Sequence, residues 1–276
     1  MTTGFIGDDQ ETGRTSEVID LFNPNISCSN LEKAPSQRWA SVGGVLNGRP
    51  LICGGFNPPF SFQDCFYVQG DHNQNISMIQ KRSFASSVVM KGVVCEIDQK
   101  EFWYSYPRFY YSHFFTDESF NDYLWVVGGY EHEDLNSTEF VYTDKESAPG
   151  PTLDFIIAHH CMATLNENAI YIIGGKQDGE ISNQVWIADP KNGFEIRKGP
   201  TLNEGRYFMS CGVYKDSDGV KKIVVAGGIN STKNDTDTVE ILDPLSSNMW
   251  EFGKILYIYF DISYTFLFFK QRNPLQ

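Results

Sequence analysis

The run GPTLDFIIAHHCMATLNENAIYIIGG at 150–175 is answered 49 residues later by GPTLNEGRYFMSCGVYKDSDGVKKIVVAGG at 199–228. Each copy opens on Gly-Pro-Thr-Leu, passes through a strand-like run (HCMATL, YFMSCGVY) and a polar turn, and closes an apolar run on Gly-Gly. The same apolar ending appears earlier, as RPLICGG at 49–55 and YLWVVGG at 123–129. About nine residues past each Gly-Gly lies another strand-like run: QDCFYV (63–68), TEFVYTD (138–144), NQVWIADP (183–190) and DTVEILDP (237–244). A weaker fourth segment follows in two copies, IRKGP at 196–200 and MWEFG at 249–253. Each unit therefore reads as four short strands. Helical periodicity is absent, and the poor alternation inside the runs suits strands buried on both faces, so the chain is all-β. Units of this size cannot bury their own core and must stack on their neighbours.

The residues that carry the repeat are Gly54-Gly55, Gly128-Gly129, Gly174-Gly175 and Gly227-Gly228, with Asp243-Pro244 and Trp250 in the last copy. This pattern resembles the kelch repeat of β-propellers. Glycine at a strand end fits a place where a neighbour packs too closely for a Cβ. The resemblance implies a kelch-type β-propeller over 1–253, of about five four-stranded blade modules with the first one partial. The modules fall near 1–35, 36–81, 82–148, 149–199 and 200–253. Kelch propellers commonly have six blades, so the expected ring is open or incomplete. Leu242 and Ala188 stand where the family places a tyrosine before Asp-Pro.

Two segments depart from the repeat. The Gly-Gly pairs are spaced by 74, 46 and 53 residues, and removing an insert at 91–120 brings the first interval into line. That insert holds 10 aromatic residues and the tail 254–276 holds 7 more, which accounts for the high aromatic content of the chain. An unspliced or mispredicted exon is the preferred reading of the insert over a long aromatic binding loop. The hydrophobic tail is equally foreign to the repeats. Its apolar stretch 255–269 is broken by Asp261 and is shorter than the roughly 20 residues a spanning helix requires, so no membrane span is expected.

The 276 residues carry 22 basic and 35 acidic side chains, a formal charge of −13. Such a surface repels phosphate, which argues against nucleic acid or an anionic membrane as partner. In an antiparallel meander the loops between second and third strands all leave by one face. Those loops hold Asp8, Asp9, Glu11 and Arg14; Asp64; Glu131, Glu133 and Asp134; Lys176, Asp178 and Glu180; Lys233, Asp235 and Asp237. One face should therefore be acidic and suited to a protein with a basic surface, with a glycan as a further ligand class. Plain solvated loop chemistry is the competing reading.

Five Asn-x-Ser/Thr sequons, at Asn25, Asn75, Asn136, Asn230 and Asn234, against roughly two expected from composition, point to a glycosylated, secreted chain. The opening MTTGFIGDDQ has no signal-peptide pattern, so a cytoplasmic chain is the alternative. Cys53 and Cys65 fall on neighbouring strands of one module and form the disulfide candidate, in competition with two small buried thiols or with Cys28 as a partner. His159-His160-Cys161 would need all three side chains to converge for a metal, yet along a strand His160 points away from the other two. No nucleophile-elbow or phosphate-loop pattern occurs. We expect no catalytic residue, cofactor or metal, and a non-enzymatic interaction scaffold. Two other functions attach to the resemblance: an intracellular substrate adaptor lacking its dimerisation domain, and a galactose-oxidase-like enzyme, for which no matching Tyr/Cys/His set is found.

Overall fold

The computed structural model describes residues 17–18, 29–30, 35–68, 75–91, 122–166, 168–246 and 249–253. Asp8, Asp9, Glu11, Arg14, Asn25, Cys28, nearly all of the insert and the whole tail 254–276 lie outside these residues. Of the partial first module, the backbone pairing of Glu17–Val18 with Ser29–Asn30 is described, and it is antiparallel.

The described chain forms four four-stranded antiparallel sheets, each a simple meander. Sheet 1 contains β1 (Val42–Leu46), β2 (Arg49–Cys53), β3 (Asp64–Tyr67) and β4 (Ile76–Ser77). Sheet 2 contains β5 (Ser86–Met90), β6 (Tyr123–Val127), β7 (Thr138–Val141) and β8 (Ala148–Pro149). Sheet 3 contains β9 (Cys161–Asn166), β10 (Ala169–Ile173), β11 (Val185–Asp189) and β12 (Glu195–Lys198). Sheet 4 contains β13 (Ser210–Lys215), β14 (Lys221–Ala226), β15 (Val239–Leu242) and β16 (Trp250–Gly253). Among the described residues the one helical turn is 3₁₀, at Pro190–Asn192, capped by the Asp189 carboxylate on the Lys191 N–H.

The second strands explain how the sheets stack. Leu124, Trp125, Val126 and Val127 of β6 are all 0% exposed, so both faces of sheet 2 are covered. Alternate residues serve alternate neighbours: Leu124 and Val126 pack with Leu51 and Tyr67 of sheet 1, Trp125 and Val127 with Ile170 and Ile172 of sheet 3. The same division repeats between sheets 3 and 4, where Tyr171, Ile173, Ile223 and Val225 share a core with Trp250. Full burial of each of these side chains stabilises the fold by about 1.5–3 kcal/mol. First strands lie beside first strands, β1 by β5, β5 by β9 and β9 by β13.

Two disulfides add covalent links. Cys53–Cys65 joins directly opposed residues of β2 and β3 across a Cα separation of 4.0 Å. Cys161–Cys211 joins β9 to β13 and so staples sheet 3 to sheet 4, with Cα atoms 6.0 Å apart. The first pairing was a candidate from sequence; the second was not.

Candidate functional site

The site is built where the chain enters each first strand. Four equivalent inbound segments are Arg38-Trp39-Ala40-Ser41, Arg82-Ser83-Phe84-Ala85, Ile157-Ala158-His159-His160 and Arg206-Tyr207-Phe208-Met209. The three arginines are 1%, 2% and 0% exposed. Each donates from Nη1 to the carbonyl of the first glycine in its own sheet's Gly-Gly: Arg38 to Gly54 at 3.1 Å, Arg82 to Gly128 at 2.8 Å and Arg206 to Gly227 at 3.1 Å. The rest of each guanidinium reaches a carboxylate on or beside the third strand. Arg206 Nη2 meets Glu240 Oε1 at 2.8 Å, and Arg38 Nη2 meets Asp64 Oδ2 at 2.8 Å. Arg82 Nε lies 2.7 Å from Glu139 Oε1, an ion pair approached too obliquely to count as a hydrogen bond. Burial pushes the Glu139 carboxyl up and the Arg82 guanidinium down, each partly offset by the other's charge.

Sheet 3 solves the same problem without charge. Ile157 stands at the arginine position and Trp186 at the glutamate position, with Phe155 stacked on Trp186 at a centroid distance of 4.4 Å. Both members of the pair change together. A buried arginine or glutamate left alone there would be an uncompensated charge.

The diglycines are the hinge points between sheets. A Cβ on Gly128 would come within 2.2 Å of the Ile157 carbonyl oxygen, and one on Gly54 within 2.5 Å of the Arg82 carbonyl oxygen. The first glycines Gly54, Gly128 and Gly174 therefore abut the segment entering the next sheet, while the second abuts its own: Gly129 meets Ser83 and Ala85, and Gly228 meets Tyr207 and Met209. Backbone bonds from Gly55, Gly129 and Gly175 N–H to the carbonyls of Arg82, Ile157 and Arg206 complete the junctions.

These junctions fix the loops between second and third strands. Tyr130 pairs with Ser83, Lys176 with Ala158 and Ile229 with Tyr207, so each loop begins against an inbound segment. Glu133, Asp178, Glu180, Asp235 and Asp237 are exposed; Glu131, Asp134 and Asp64 are half-buried. Burial raises the Asp134 carboxyl, and the nearby Lys176 ammonium pulls it back. Ser61 of the sheet 1 loop donates to the Tyr130 carbonyl at 3.4 Å, so the loops of sheets 1 and 2 touch. Eight carboxylates and two lysines occupy the described loops.

Beside these loops, Ala40, Phe84, His159 and Phe208 all adopt left-handed backbone, with φ of 54°, 53°, 58° and 58°. Their backbones are linked in series: Phe84 N–H donates to Ala40 O, His159 N–H to Phe84 O and Phe208 N–H to His159 O, at 3.0, 2.9 and 3.1 Å. The His159 ring sits 4.3 Å from Phe84 and 4.4 Å from Phe208. This corrects the strand expectation for His159-His160-Cys161, because the left-handed turn at His159 precedes the strand. Cys161 is committed to Cys211, and among the described residues no group of three His, Cys, Asp or Glu could hold a metal. Burial lowers the two histidines, His159 to about 4 and His160 to about 3. Neither ring nitrogen of His160 has a hydrogen-bond partner.

The described sequons differ sharply. Asn75 and Asn136 are exposed, Asn136 donating to Leu153 O at 3.3 Å. Asn234 is exposed and donates to Thr232 Oγ1 at 3.0 Å. Asn230 is turned inward: its amide donates to Glu204 Oε1 at 3.0 Å while its oxygen accepts from Thr232 and Asn234.

Compared with models of protein families and with curated proteins, the chain matches none. The arginine and aromatic positions of the inbound segments were not read from sequence. The signal available was the recurrence of Arg followed two residues later by Ala or Phe at 38–40, 82–84 and 206–208.

Proposed function

We propose that this chain is a kelch-type β-propeller acting as a non-enzymatic protein-interaction scaffold, docking a basic partner surface on its acidic loop face. The observation that carries this reading is the repeated junction of inbound segment, diglycine and loop. It anchors each acidic loop on a rigid scaffold, an arrangement suited to a binding surface. Four meanders with first strands side by side, each sheet sharing a core with the next, support the propeller. The five-module count includes the N-terminal segment. Two disulfides fit an oxidising compartment, which favours a secreted chain over an intracellular adaptor. No helix among the described residues is long and apolar enough to cross a membrane.

The test is charge reversal at exposed loop positions, Glu133→Lys, Asp178→Lys and Glu180→Lys together, followed by capture of binding proteins from native extract over a salt series. Partner capture should weaken on the order of tenfold at low salt and become less salt-dependent. Capture that is unchanged in strength and in salt dependence defeats the docking face.

A further inference from the structure

We propose that the aromatic cluster formed by Phe84, His159 and Phe208 is the seat for an arginine side chain presented by the basic partner. This rests on the loop face being a docking surface, and it assigns a seat beside the loops and the chemistry it takes.

The first argument is conformational. A left-handed backbone costs a bulky residue roughly 1–2 kcal/mol relative to glycine. Three neighbouring inbound segments accept that cost at equivalent positions, and each uses an aromatic ring where glycine or asparagine would hold the same turn with less strain. The strained turns aim all three rings at one place. Phe84 and Phe208 have centroids 5.7 Å apart, and His159 bridges them.

The second argument is exposure. Phe208 is 43% exposed although it belongs to a backbone-linked and tightly packed group, with Tyr207 against it at 4.9 Å. An aromatic face is thus left open beside the loops.

The third argument selects the occupant. The loops bearing the exposed carboxylates Glu133, Asp178, Glu180, Asp235 and Asp237 start from residues paired with the cluster's immediate neighbours. An apolar partner would have to strip water from these carboxylates without compensation, whereas a cation pairs with them while its flat face lies on a ring. Arginine suits both demands, because a guanidinium stacks on aromatics and is weakly hydrated. The protein already seats one cation on this surface: the Lys176 ammonium lies 4.7 Å from the Tyr207 ring centre. That lysine lowers both the Asp134 carboxyl and the His159 imidazole by its charge.

The experiment uses the full chain and fluorescently labelled hexa-arginine, hexa-lysine and a neutral Gly-Trp-Gly-Trp-Gly peptide, read by anisotropy at low and moderate salt. Hexa-arginine should bind more tightly than hexa-lysine. Phe208→Ala should weaken hexa-arginine binding by about 2- to 30-fold, the range of a cation resting on an aromatic ring, without changing the salt slope. Phe208→Leu, which keeps apolar volume but loses the ring, should lose as much; full recovery with leucine would overturn the proposal. Equal hexa-arginine binding by wild type and Phe208→Ala, with loss on reversal of Glu133, Asp178 and Glu180, overturns the aromatic seat but leaves the acidic docking face standing. Failure of both cationic peptides to bind overturns both. Binding of the neutral peptide with the same Phe208 dependence overturns the choice of a cation. Thermal melts of each variant show that the fold is retained.

Discussion

Replacing Arg82 by methionine removes one end of a fully buried ion pair and leaves the other. Glu139, 1% exposed, would keep the Ile79 N–H donor but lose the Arg82 cation. The Gly128 and Ser137 carbonyls would also lose the guanidinium donors at 2.8 and 3.1 Å. Stranding a buried carboxylate in this way costs about 3–5 kcal/mol. Replacing both members, as Arg82→Met with Glu139→Leu, removes the stranded charge, and the double variant should lie within about 1–2 kcal/mol of wild type. Sheet 3 supplies the precedent, since Ile157 and Trp186 occupy the same two positions without charge. Urea unfolding followed through the buried Trp125 reads all four corners of the cycle. We expect the two substitutions to be non-additive by about 2 kcal/mol or more. Additivity within about 0.5 kcal/mol would refute the view that the pair is one structural unit.

Other consequences follow from the same geometry. Loss of Cys161–Cys211, which spans 50 residues, should lower stability by about 4 kcal/mol in the chain-entropy estimate; unfolding midpoints with and without a reductant, compared in a Cys53→Ala/Cys65→Ala background, measure it. Gly128→Ala should cost more than about 3 kcal/mol because its Cβ meets the Ile157 carbonyl at 2.2 Å, whereas Gly48→Ala, with open space around it, should cost only about 1 kcal/mol. His159 and His160 are held neutral in the fold, with values of about 4 and about 3, while the unfolded chain protonates them near 6.5. The unfolded state therefore binds more protons between those limits, and stability falls as pH drops below about 6.5, by about 2 kcal/mol per histidine at pH 5. His160→Leu should flatten that part of the pH–stability curve, and an unaltered slope would exclude His160 as a source. In secreted protein, glycopeptide mass spectrometry should find Asn75 occupied and Asn230 bare, since the Asn230 amide is engaged with Glu204 and its oxygen with Thr232 and Asn234.

The strand order was legible because close packing leaves a compositional mark. Gly54-Gly55, Gly128-Gly129, Gly174-Gly175 and Gly228 have no room for a Cβ, and the apolar runs before the diglycines are buried on both faces, so β2, β6, β10 and β14 could be placed from sequence. Even the weak fourth strands β12 and β16 fall where IRKGP and MWEFG stand. The buried arginines were hidden for a specific reason. The two clearest copies, 150–175 and 199–228, set Ile157 opposite Arg206, so the best alignment in the chain masks the series. Cys161–Cys211 was hidden because it depends on how first strands of neighbouring sheets approach, a tertiary fact with no local pattern. The aromatic cluster needed the left-handed turns to be seen, and in one dimension His159 read as part of a strand.

Hydrogen exchange on the full chain, alone and with a partner captured from native extract, tests the central claim most directly. The account predicts new protection in 130–137, 176–182 and 229–237, the acidic loops, and in the inbound segments around Phe84 and Phe208. Protection confined instead to the turns at 47–48, 166–169 and 216–220, between first and second strands at the opposite ends of the sheets, would contradict it.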